Sequence, residues 1–162
     1  MQNLKKQNLN VQMIWIAIAL IVMGIILYIV DKKAKSETKY EEISLKQAIL
    51  VGISQAIAAA FPGVSRSGIT MTVARGLKID RESAAKFSFL LATPITFAAV
   101  LVKASEFEIG WPFFAGVISS FIVGLFVIKF LMEYLKKRSF KGFAIYRVIF
   151  GILIVVTLIV KL

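Results

Sequence analysis

The stretch AAAFPGVSRSGIT, Ala58 to Thr70, sets an arginine between two serines in the middle of a chain that is otherwise apolar enough to live in a bilayer. The fourteen residues from Ala48 to Phe61 carry no charge. That is short for crossing a hydrocarbon core about 30 Å thick and suits a buried or re-entrant half-helix. Pro62 disfavours helical geometry in Phe61, and Gly63 leaves the backbone free to turn. After the loop Val64 to Ser67, the run Gly68 to Leu77 is long enough for a second short helix. It ends at KIDRES, where Asp80 suits the N-cap of the next element. The pattern predicts a helix–loop–helix hairpin over about residues 45–77.

Outward from the hairpin, the solvent is set by composition. Hydrophobic residues make up 59% of the 162 residues, and there is no cysteine or histidine. So much apolar surface does not fit inside one soluble core of this size. Val11 to Val30 is free of charge and of spanning length at about 1.5 Å per residue. It is too long for the apolar stretch of a signal peptide, and no A-x-A-like site follows it, so a retained helix is expected. Ala84 to Val102, Trp111 to Ile128 and Phe143 to Val160 are three further runs of spanning length, with Pro94 a candidate kink in the first. Arg147, near the start of the last, reads as a side chain that snorkels to the interface. The fold class expected is an all-α polytopic membrane protein, a helical bundle with one re-entrant hairpin.

The formal charge of +11 follows the ends of the apolar runs and reads as topology, with no nucleic-acid partner. Lys32, Lys33, Lys35 and Lys39 follow the first run, and Lys136, Lys137, Arg138 and Lys141 follow the third. The loop 103–110 is acidic on balance. If the hairpin enters and leaves on one side, both basic loops are cytoplasmic and the acidic one external; if it crossed fully, the Lys136 loop would face outward. Lys5 and Lys6 on the outer end of the first run oppose this assignment.

Non-helical backbone at membrane depth is tolerated only where it is buried in protein or lines a watery cavity, and an ionisable group there is expensive. Arg66 stands at such a place. The free N–H groups of a helix beginning near Gly68 point to the same spot, and Ser65, Ser67 and Thr70 add hydroxyls. Arginine's planar fork beside hydroxyls and a helix N-terminus suits a phosphate or diphosphate. The bland alternative is an ordinary Pro-Gly-Ser turn with a solvated arginine anchor. Arg75, Lys78 and Arg81 read as cytoplasmic anchors, Glu82 as a complement to a helix dipole, and Gln55 as a weak candidate for a polar contact.

The string PGVSRSGIT, preceded by SLKQAILVGISQAIA and followed by GLKIDRESAAKFSFLLATP, resembles the second half of the bacterial undecaprenyl-diphosphate phosphatases, the bacitracin-resistance type. The resemblance runs from about Ile14 to the C-terminus. It implies half of an inverted-repeat bundle in the bacterial plasma membrane. The family removes the terminal phosphate of an isoprenoid diphosphate lipid, the carrier recycled for peptidoglycan. It also implies a divalent cation, Mg or Ca, held by a glutamate-rich motif, with a serine and a histidine, in a first half that this sequence does not contain. Carried to matching positions, Arg66 would clamp the diphosphate, Ser65, Ser67 and Thr70 would orient its oxygens, and Gly63 and Gly68 would let the backbone approach the substrate, with no metal ligand in this chain. Partners implied are membrane lipids and a first-half chain or a second copy. A non-catalytic lipid-diphosphate-binding remnant and half of a transporter are the alternatives, broken helices being common in transporters.

Overall fold

The computed structural model describes residues 2–107 and 110–160. Glu108 and Ile109 of the acidic loop lie outside the described residues. Within them the chain is helical: α1 (Gln2–Lys33), α2 (Leu45–Ala60), α3 (Arg66–Gly76), α4 (Arg81–Val102), α5 (Trp111–Lys137) and α6 (Lys141–Val160), with two single 3₁₀ turns. Four of these helices, α1, α4, α5 and α6, are long and apolar enough to cross a membrane, and the protein is a multi-pass helical membrane protein.

The helix boundaries follow local chemistry. Ser44 caps α2 and forms a reciprocal box with Gln47, satisfying donors that a helix start leaves without partners. At the other end of α2, Phe61 is already extended ahead of Pro62. Gly63 then turns the chain with a φ of +88°, open to glycine. A Cβ at Gly63 would also stand 2.7 Å from the Ile16 Cα and 2.9 Å from its carbonyl oxygen, so the hairpin tip lies directly on the middle of α1. Asp80 caps α4 by accepting from the Ser83 N–H at 3.0 Å. Pro94 lies inside α4, and that helix runs on to Val102.

Helices α1 and α6 pack along each other through small residues. A Cβ at Gly24 would come within 3.1 Å of the Ala144 carbonyl oxygen, and one at Gly151 within 3.0 Å of the Ala17 carbonyl oxygen. Such close backbone approach is how helices associate where lipid removes the hydrophobic drive. Most large apolar side chains of α5 and of the second half of α4 are exposed, the surface a bilayer covers.

The connections place the ends. The Glu37 and Thr38 N–H groups donate to the Lys78 carbonyl at 2.9 and 3.2 Å, and the Asp80 N–H donates to the Thr38 carbonyl at 3.0 Å. Asp31, in the last turn of α1, accepts from the Phe140 N–H at 3.1 Å. The linker after α1, the α3–α4 turn and the α5–α6 turn therefore share one end of the bundle, and the α2–α3 hairpin returns to the end it left. Cysteines placed at Ser36 and Ser139 are accordingly expected to react with an impermeant maleimide from the same face of sealed vesicles, and one at Glu106 from the opposite face. Labelling of Ser36 and Ser139 from opposite faces would mean that the hairpin crosses.

Candidate functional site

The hairpin tip builds the start of α3. Ser65 is its N-cap, accepting from the Gly68 N–H at 3.2 Å, and its hydroxyl lies 3.2 Å from that of Ser67. Arg66 occupies the first helical position, is exposed, and has no ion pair among the described residues; the first turn of α3 contains no acidic residue. A cation at the positive end of a helix opposes the helix dipole. The first N–H groups of a helix also have no intrahelical acceptor. Arginine, hydroxyls and unsatisfied N–H groups thus all belong to the first turn of one helix. Thr70 sits one turn further in. Its hydroxyl meets the Arg66 and Ser67 carbonyls at 3.0 and 3.1 Å and the Ser88 hydroxyl at 2.6 Å, so in this state it joins α3 to α4.

Arg147 departs from expectation. It does not snorkel to an interface but is buried, 6% exposed, inside the packing of α1, α3 and α6. Its Cβ lies 3.2 Å from where a Cβ of Gly24 would be, and a Cβ on Gly68 would collide with its Nη1. The close packing of α6 on α1 turns this face inward, and two glycines leave the room that the guanidinium occupies. The charge interrupting an apolar run was visible in the sequence; its direction was not.

Arg75 and Arg81 also depart from the expected role of anchors. Arg75 is fully buried, its Nε donating to the Asp31 carboxylate at 2.8 Å and its other nitrogens to the Ala34, Lys35 and Ile79 carbonyls, among others. Arg81 donates to the same carboxylate at 2.8 Å. Asp31, 2% exposed, gathers both arginines and the Phe140 N–H. The clasp joins α1, α3, α4 and the α5–α6 turn. Full burial makes Arg75 require a partner, and Asp31 is the carboxylate that meets it. Lys78 does remain exposed, paired with Glu37 at 2.9 Å.

Glu82 lies in the first turn of α4 and meets Lys136 across an exposed 3.4 Å pair. Gln55 is half-buried, and its Oε1 has no hydrogen-bond partner among the described residues. No group of three or more His, Cys, Asp or Glu side chains among the described residues is arranged to hold a metal ion. Asp31, the one buried carboxylate among the described residues, is taken up by two arginines. The described residues therefore do not fit a divalent cation by themselves.

The family model described as bacitracin resistance protein BacA matches residues 2–153. The undecaprenyl-diphosphatase of Gemmatimonas aurantiaca is 47% identical over 147 residues, which cover 88% of this chain and 55% of that protein. That of Pelotomaculum thermopropionicum is 47% identical over 144 residues, covering 87% and 54%. The chain spans about half the length of these relatives. Over nearly all its length, from α1 through the SRSG tip into α6, it belongs to the bacitracin resistance protein BacA family.

Proposed function

We propose that this chain is the anion-binding half of an undecaprenyl-diphosphate phosphatase, hydrolysing the terminal phosphoanhydride of an isoprenoid diphosphate lipid together with the half of the relatives' length that these residues do not span. The observation that carries the reading is Arg66 at the first position of α3, without an ion pair among the described residues and flanked by Ser65 and Ser67. These groups would hold the phosphoryl oxygens and stabilise their charge as the bridging bond breaks. A lipid substrate is supported by the apolar groove beside the tip, where Trp15, Ile18 and Val22 of α1 face Phe61, Pro62 and Val64. The attacking group and any Mg or Ca ion would be held by residues outside this chain, from a first-half polypeptide or from a longer version of the same protein.

The test is phosphate release from farnesyl diphosphate, by the purified chain alone and by the chain co-expressed with the first half of a full-length relative. The chain alone is expected to release none; the pair is expected to release phosphate. Rapid release by the chain alone would place the catalytic groups here. Binding without release by the pair would favour a lipid-binding remnant, and substrate flux into sealed vesicles a transporter.

A further inference from the structure

Two layers of side chains lie along the same three helices. At the basic end, Asp31 of α1, Arg75 of α3 and Phe140 at the start of α6 meet. Seven residues away on each helix, at Gly24, Gly68 and Arg147, the three meet again. Seven residues are two helical turns, about 10 Å. Each layer buries an arginine, and among the described residues only one of them meets a carboxylate. Arg75 has a carboxylate and a set of carbonyl acceptors, whereas Arg147 has neither: its Nε and Nη2 are buried with no hydrogen-bond partner among the described residues.

A buried charge without a partner is among the most expensive features a protein can hold. Here it lies against Gly68, in the first turn of α3, where the helix end is positive and the Ser65 and Ser67 hydroxyls gather. Among the described residues no carboxylate reaches this layer. Glycine at 68 and at 24 keeps the space open. An apolar residue of similar length would fill that space with no penalty for burying charge, so packing gives no reason for arginine.

We propose that Arg147 is a second anion-binding arginine, opposite Arg66 across the α3 N-terminus, and that the group completing it is a phosphate or diphosphate. Arg66 approaches from the exposed side of the tip and Arg147 from the buried side. A diphosphate between them would be gripped on two faces, with the planar fork of Arg147 offering two parallel N–H donors to one phosphoryl group. This rests on the reading of the chain as a lipid-diphosphate-binding half, and it assigns the part of the grip that comes from α6.

The experiment uses the purified chain in lipid nanodiscs, with inorganic pyrophosphate, farnesyl monophosphate and farnesyl diphosphate as probes. Calorimetric affinity and the thermal unfolding midpoint are both measured. In Arg147→Met, the midpoint without anion is expected to equal or exceed that of the unchanged chain, because replacing a buried ion by an apolar side chain of similar volume is neutral or stabilising. The same variant is expected to bind the anions roughly ten- to a hundredfold more weakly, the loss of a charge-assisted hydrogen bond. A purely structural arginine gives the reverse: a lower midpoint with affinity intact.

Should Arg147→Met fail to fold, the unchanged chain labelled with nitrogen-15 arginine decides the matter. The Nε resonance that disappears in Arg147→Lys is expected to shift on adding pyrophosphate, and no shift at saturating pyrophosphate overturns the proposal. If farnesyl diphosphate binds and pyrophosphate does not, the Nε shift with the lipid probe is the reading used. If the unchanged chain binds none of the three, both this proposal and the lipid-diphosphate reading fall. If it binds and Arg147→Met binds equally, only the role of Arg147 falls.

Discussion

Replacing Arg66 by lysine is expected to lower phosphate release by the chain and its complementing half roughly ten- to hundredfold, with normal membrane insertion. The substitution keeps the positive charge and removes the planar fork that can bond two phosphoryl oxygens at once. A charge-assisted hydrogen bond lost from the transition state costs about 1.5–3 kcal/mol, which gives that range of rates. Ser67→Ala should reduce the rate less, since a neutral hydroxyl donates a weaker bond. Lys46→Gln, an exposed change in the first turn of α2 on the same hairpin, should leave the rate unchanged. Arg75 is unsuitable as the control, because it is fully buried in the Asp31 clasp. The measurement is initial phosphate release at saturating farnesyl diphosphate. An unaltered rate for Arg66→Lys would return this residue to the role of a turn-flanking anchor.

Asp31→Ala should have the largest effect on stability. It leaves Arg75, with no exposed surface, facing an empty site, and it also frees Arg81 and the Phe140 N–H. Removing one member of a buried ion pair costs about 3–5 kcal/mol, because the remaining charge stays buried without compensation. Arg81 is half-buried and open enough for water to take up part of its loss, so Arg75 dominates the cost. The thermal midpoint in detergent should fall clearly. Pairing Asp31→Ala with Arg75→Met should recover much of it, since the stranded charge is then gone. If Asp31→Ala leaves the midpoint where it was, the clasp is not what holds α1, α3 and the α5–α6 turn together.

The hairpin and its tip were legible in local sequence. A charge-free run too short to span, stopped by Pro62-Gly63 and followed by a second short run, already required a break. Ser65 and Asp80 are capping residues by chemistry, and the structure finds both in that position. Ser65, Arg66 and Ser67 are consecutive, and the two serine hydroxyls meet at 3.2 Å by local geometry, so no tertiary information was needed to place all three at one helix start. Four long apolar helices were equally plain, because spanning length and a high apolar content are properties of contiguous residues.

Three of the four arginines outside the tip were another matter. Arg75, Arg81 and Arg147 all lie near the ends of apolar runs, where snorkelling and orientation explain a cation without any partner. Whether such a side chain points to water or inward depends on which face its helix packs, and that depends on neighbours more than forty residues away in the chain. Asp31 meets Arg75 across forty-four residues and the Phe140 N–H across a hundred and nine. Gly24 and Gly68 look unremarkable alone; only the approach of α6 to α1 and α3 makes them the walls of a space holding Arg147. Sequence by itself determined where the chain breaks, caps and crosses, since each is decided within one or two helical turns. Tertiary structure alone decided which buried arginine has a counter-ion and which has none, because charge compensation depends on distance in space.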